Sequence, residues 1–200
     1  MKEKELLLKY LPPQVVDTVL QEIIQHGVHL KITRSRKTKL GDFRPPVNGT
    51  GPRISVNNDL NPYAFFVTFV HELSHLLAYE KYGQMRHPHG TEWKHIYKAQ
   101  LEQFLGKDIF PAELEKIIGK HLSNIKASSH SDLELTRAFQ KYDAHPTLRL
   151  EDLQQGDIFV FQQSRKFKVL EKVRKRYKCQ EIANKKIYLF NALTPVKRNE

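Results

Sequence analysis

The feature that most constrains this chain is the run FVTFVHELSHLLAYE, residues 66–80, where two histidines and a glutamate interrupt an otherwise apolar segment. Ionisable groups set in an apolar helix are costly to bury unless they share a task. His71 and His75 are four residues apart, so on an α-helix their Cβ atoms lie about 6 Å from each other on one face, and both imidazoles can reach a single ion. Glu72, one residue on, is too close to the first histidine to join the same ligand plane comfortably, but it is placed to touch a water on that ion. It is the candidate base. Phe66, Phe69, Val70, Leu73, Leu76 and Leu77 supply the opposite face, so the expectation is a helix buried on one side that presents its reactive groups on the other.

HExxH on a helix is a zinc pattern: neutral imidazoles bind Zn²⁺ at roughly 2.0–2.1 Å, and a catalytic site needs a third protein ligand and an open position for water. A metzincin would place its third histidine six residues after His75, with glycine at the third, but those positions hold Lys81 and Ala78. Glu102, on a later helix, is one candidate. His89, in HPHGTEWKH with 13 residues between it and His75, is the stronger one, and His87 is its rival although Pro88 turns it away from its neighbour. His95 is expected at the surface or behind a ligand, and Trp93 and Tyr97 in the core. Arg86 and Tyr79 both suit an oxyanion, and spacing does not choose between them.

Helical spacing of Val15, Val16, Val19, Leu20, Ile23 and Ile24 predicts a helix over 14–25, started by Pro12-Pro13 and stopped by Gly27. VHLKITRSR reads as a strand, KLGDFRPPVNGTGP as loop, and ISVNN as a second strand. Asn48-Gly49-Thr50 reads as a turn rather than a glycosylation acceptor. Asn61 caps the motif helix, with Pro62 at its first position. Further helices are expected from about Thr91 to Leu105, from Pro111 to His121, and from Ser131 to Tyr142, the last opened by a Ser131–Glu134 capping box. NIKASSH, residues 124–130, reads as a linker. From Leu150 onward GDIFVFQ, KFKVLEKV, YKCQEI and KIYLFNAL are short strands, with Gln162 to Arg165 and Ala183 to Lys185 as turns. Their expected core is Ile158, Phe159, Phe161, Val169, Tyr177, Tyr188 and Leu189.

Charge is unevenly spread. Residues 145–200 hold 13 Lys and Arg against 6 Asp and Glu, which is +7 of the chain's +11. Lys166, Lys168, Lys172, Arg174, Lys175, Arg176 and Lys178 are candidate contacts to a DNA or RNA backbone, with Phe167 or Tyr177 available to stack on unpaired bases. Such binding would be salt-dependent and weakly selective for sequence. Lysines that keep edge strands from aggregating are the alternative reading. A single cysteine, Cys179, excludes an internal disulfide and a four-cysteine metal site, and is expected to be a buried hydrophobe. With no signal-peptide pattern and no run of roughly 20 apolar residues, the expected setting is cytoplasmic, with no membrane partner.

HELSH followed by His89-Gly90-Thr91-Glu92-Trp93 resembles the SprT-like metalloprotease family. ITRSRKTKLGDFRP and RISVNNDL resemble that family's strands ahead of the motif helix, and the likeness spans Pro13 to Leu105. The resemblance implies one Zn²⁺ held by His71, His75 and His89, Glu72 as general base, and a protein substrate. Eukaryotic members of the family cut proteins crosslinked to DNA. The chain departs from the pattern where many members carry a cysteine-rich zinc ribbon, since only Cys179 stands there, so a second structural zinc is not expected.

The expected fold is thus α+β: a zincin-like, SprT-type catalytic domain of helices on a small sheet over 1–123, a linker and helix over 124–146, and a basic, antiparallel β appendage over 147–200. The expected activity is zinc-dependent peptide hydrolysis, directed by the basic tail to nucleic-acid-associated proteins. The alternative is a non-catalytic, nucleic-acid-associated binding protein whose zinc is structural or vestigial.

Overall fold

The structure, a computed structural model, describes residues 2–36, 38–47, 49–84, 86–125 and 132–199. It is mixed α+β and divides into two compact units, residues 1–144 and 145–200. Asn48, Ser131 and residues 126–130 of the expected linker lie outside the described residues. No described helix is long and apolar enough to cross a membrane.

In the first unit, helix α1 (Lys2–Leu7) and a short 3₁₀ turn at Pro13–Val15 lead into α2 (Val16–Gln25). Gly27, at φ 58°, supplies the left-handed turn that ends α2 and that other residues adopt only at a cost. Strands β1 (His29–Thr33), β2 (Gly41–Arg44) and β3 (Arg53–Asn57) form a sheet of order β1-β3-β2, with β1 parallel and β2 antiparallel to β3. The segment read as loop therefore contains an edge strand. Gly41-Asp42-Phe43-Arg44 has no hydrophobic alternation of its own, and pairing with β3 supplies its hydrogen bonds. The loop before it is fixed by a polar knot. Arg36 donates from Nε to Asn57 Oδ1 at 2.8 Å and from Nη1 to Ser55 Oγ at 3.0 Å, while Asn57 Nδ2 donates to the Lys39 carbonyl at 3.0 Å.

Helix α3 (Pro62–Tyr82) packs on β2, β3 and α4 (Thr91–Glu102). Its start is as the sequence reads: the Asn61 side chain accepts from the Ala64 N–H at 3.0 Å, and Pro62 holds the first position. The same Asn61 amide donates to the Phe139 carbonyl at 2.8 Å and to Asp143 Oδ1 at 2.7 Å, which ties the cap to the end of α6 (Leu133–Gln140). α3 differs from expectation in being buried around nearly its whole girth, with His71 and Glu72 at 9% and 7% exposure. Burial of Phe65, Phe66 and Phe69, worth about 2–3 kcal/mol each, offsets the desolvation of those polar groups. Helix α5 (Ala112–Ser123) packs against α6, whose Leu135, Ala138 and Phe139 join the first unit's core. α6 is capped by Asp132, which accepts from the Leu135 N–H.

The second unit is a five-stranded antiparallel sheet of order β7-β6-β5-β4-β8, built from β4 (Ile158–Phe161), β5 (Arg165–Val173), β6 (Arg176–Glu181), β7 (Ile187–Asn191) and β8 (Lys197–Arg198). Its core holds Phe159, Phe167, Val169 and Cys179, with Phe161, Tyr177 and Tyr188 packed alongside. Two residues expected in that core face outward: Ile158 is 39% and Leu189 56% exposed. Register decides this, because Ile158 pairs with Lys168 and Leu189 with Lys178, on the face opposite Phe159 and Phe167.

Candidate metal centre

α3 carries His71 and His75 into a cleft of about 710 Å³ whose wall includes β2, and the bend before α4 brings His89 back to meet them. His75 Nε2 lies 3.1 Å and His71 Nε2 3.2 Å from His89 Nε2. A ring nitrogen has one in-plane lone pair or one hydrogen, so His89 Nε2 cannot bond well to both neighbours at once. A cation satisfies all three. An ion bound tetrahedrally at about 2.1 Å holds its donors about 3.4 Å apart, close to the spacing observed. Among the described residues these three form the group able to hold a metal ion. Their electrostatics fit the role. Burial, followed by the charges of neighbouring histidines, pushes His71 down to about 2 and His75 to about 4, and burial with Lys94 also lowers His89. All three are thus neutral near pH 7, with lone pairs free to coordinate.

The rivals lie elsewhere. His87 and His95 are exposed, and Glu102 is an exposed residue paired with Lys98 at 3.5 Å. Trp93 and Tyr97, read as core, are fully buried, and Trp93 is the floor of the site. Its ring centroid lies 4.6, 5.1 and 4.7 Å from those of His71, His75 and His89, and Tyr97 stacks beneath it at 4.9 Å and 11°. Trp93 Nε1 and Tyr97 Oη have no hydrogen-bond partner among the described residues. That costs about 1–3 kcal/mol per group, and the burial of two large rings offsets it.

Glu72 lines the same cleft. Burial, then the negative charge of Asp42, pushes its carboxyl up to about 8, against a hydrogen bond from the Phe43 backbone and the cations of Arg36 and Lys39. Asp42 itself stays ionised: burial raises it, but hydrogen bonds from Lys39 and Arg44 outweigh that and hold it below the usual range. The sheet approaches Glu72 so closely that a Cβ on Gly41 would sit 2.5 Å from Glu72 Oε1 and 2.8 Å from Thr68 Cγ2. Gly41, Asp42 and Phe43 are the site residues that sequence reasoning missed. The one signal available was a glycine just before an aromatic in an otherwise turn-like segment.

The seven candidate basic residues lie on β5, on β6 and in the turn that joins them. Lys172, Arg174, Lys175 and Arg176 are exposed around the β5–β6 hairpin turn, where Arg174 takes the left-handed φ of 54°. Lys166 and Lys168 are exposed along β5, and Lys178 pairs with Glu171 at 3.1 Å. Phe167 is fully buried and cannot stack on a base, because it shares the inward face with Val169 between those two lysines. Tyr177 is half-buried, with Lys172 Nζ 5.7 Å from its ring centroid. No family model matches the chain, and no solved structure matches it.

Proposed function

We propose that this chain is a zinc-dependent endopeptidase of the SprT-like type. One observation carries the reading: three neutral imidazole nitrogens, drawn from two separated segments, converge beside a buried carboxyl in a cleft that has an edge strand for a wall. Three nitrogen donors at tetrahedral spacing suit zinc, and a fourth position remains for water or substrate. Zinc bound there supplies Lewis-acid activation of water and of the scissile carbonyl.

The chain's own residues do the rest. Among the described residues no strand pairs with the outer edge of β2, so an extended peptide can pair with it and lie along the cleft. Glu72 takes a proton from water as the water oxygen forms the new C–O bond, then passes it to the departing amine as the C–N bond breaks. A carboxylate lining the same cleft can accept that proton and return it, and general acid–base catalysis of this kind contributes on the order of 10²–10⁴ in rate. Trp93 keeps the three imidazoles packed in place from below.

Glu72→Gln tests this. It is expected to abolish peptide cleavage by zinc-loaded protein while metal content, read by elemental analysis, stays at the wild-type level. Cleavage that survives in the variant, or a wild type that binds no zinc, rules the reading out.

The exposed cations of the β5–β6 turn support action near nucleic acid, where bound proteins become substrates by proximity. They also support the rival reading, a non-catalytic nucleic-acid-associated protein with structural zinc. Replacing Lys172, Arg174, Lys175 and Arg176 by Ser is expected to weaken retention on DNA or RNA and to flatten the dependence of log K on log salt. Unchanged retention removes nucleic acid from the proposal and leaves the peptidase reading standing.

A further inference from the structure

Among the chain's own residues one catalytic role is unassigned: which side chain shares with a bound metal the negative charge that develops on the carbonyl oxygen when water attacks. Of the two residues that the sequence offers, the structure separates Tyr79 from Arg86. Arg86 is exposed and does not line the cleft, whereas Tyr79 is half-buried and lines it together with His71, Glu72, His75 and His89. Tyr79 lies one helical turn beyond His75, on the same face of α3. Side chains on a helix lean toward its N-terminus, so a tyrosine there reaches back over the turn that carries His75. The rings agree. Phe43 of β2 lies parallel to His75 at 6.5 Å and 8°, and the same Phe43 ring packs against Tyr79 at 6.1 Å. Tyr79 is thus held beside the metal-binding nitrogens by a wall that belongs to the edge strand.

The nearby cations are occupied. Lys39 is paired with Asp42 at 2.7 Å, and Arg36 is spent on Asn57 and Ser55. The Tyr79 hydroxyl has no hydrogen-bond partner among the described residues. A free donor of fixed direction, in a cleft that an extended peptide would seal from water, is what a developing oxyanion needs, because a preorganised hydrogen bond there gains strength as the charge appears.

We infer that the phenol of Tyr79 donates a hydrogen bond to the oxyanion of the tetrahedral intermediate, and that Phe43 positions its ring. The inference rests on the peptidase reading above.

Tyr79→Phe removes one oxygen and keeps the ring. It is expected to lower kcat on the order of 100-fold with KM within about twofold, since the lost bond forms only in the transition state. Arg86→Ala is expected to match the wild type. A second measurement does not depend on turnover: by calorimetry, the affinity of zinc-loaded Tyr79→Phe for a phosphinate peptide, whose tetrahedral centre bears the oxyanion, is expected to fall by a similar factor. Affinity for the corresponding carbonyl peptide, measured on the Glu72→Gln background with and without Tyr79→Phe, is expected to stay within about twofold. Unchanged kcat in Tyr79→Phe, a raised KM with kcat intact, or loss of rate in Arg86→Ala instead would each overturn the assignment while leaving the peptidase reading in place. A zinc-loaded wild type that cleaves no peptide defeats both.

Discussion

Gly41 sets how near the sheet comes to Glu72. Because a Cβ there would stand 2.5 Å from Oε1 and 2.7 Å from Cγ of Glu72, Gly41→Ala must either turn the carboxylate aside or push β2 outward. Overpacking of this kind costs about 1–3 kcal/mol. Urea denaturation of the variant is expected to show a loss in that range, together with a lowered cleavage rate and a full complement of zinc. An alanine variant as stable and as active as the parent would mean that Glu72 swings away freely, and that the close approach positions nothing. His71, Glu72 and His75 were legible in the sequence because their spacing within one helix fixes their relative positions whatever the rest of the chain does. Gly41 was not, because its requirement comes from a side chain 31 positions away.

β5 and β6 are joined by more than their ladder. Arg165 donates from Nε to Glu181 Oε1 at 2.7 Å and from Nη2 to Oε2 at 2.9 Å, lies over the rings of Phe167 and Tyr188, and leaves Oε2 to accept from Asn184 at 2.8 Å as well. The hydrogen bonds from Arg165, then those from Asn184 and Tyr188, hold Glu181 down to about 2, against an ordinary value of 4.5. A carboxylate lowered in the folded state stabilises fully above its unfolded value, and that contribution is lost as pH falls through the folded one. Glu181→Gln is therefore expected to lower the denaturant midpoint of the second unit by a constant amount above about pH 4.5. The gap to the wild type is expected to close between pH 4.5 and about pH 2, where Glu181 itself takes up a proton. A gap that stays the same across that window would show that the charge of Glu181 is not what matters. Alternating apolar and polar residues made these strands readable, but which of two exposed-looking positions turns inward was set by register. The pattern alone therefore puts Ile158 and Leu189 in the core and leaves Phe167 available for stacking, whereas register turns the first two outward and Phe167 inward.

The group able to hold a metal ion lies wholly within the first unit, so an ion bound there would stabilise that unit. A ligand that binds the folded state alone stabilises it by an amount that reaches about 4 kcal/mol at a thousandfold excess over its Kd. Removal of zinc by a chelator is expected to lower the unfolding midpoint of the first unit and to leave that of the second unchanged. His89→Ala is expected to erase the difference between the loaded and the chelated protein. If chelation shifted both units equally, or neither, the group at His71, His75 and His89 would not be where the ion acts.

What the sequence determined by itself was local: the helices with their caps at Asn61 and Gly27, the β character of the C-terminal segment, and two imidazoles and a carboxyl fixed on one helical turn. These follow from short-range sterics and from hydrogen bonds within a few residues, which a chain meets wherever it occurs. Tertiary structure alone decided the rest: that His89 and not His87 or Glu102 meets His71 and His75, that a turn-like segment becomes the edge strand walling the cleft, and that Ile158 and Leu189 face outward while Phe167 turns inward. Each of those depends on contacts between residues far apart in the chain, where the free energy lies in the fit of two surfaces and neither surface reveals it alone.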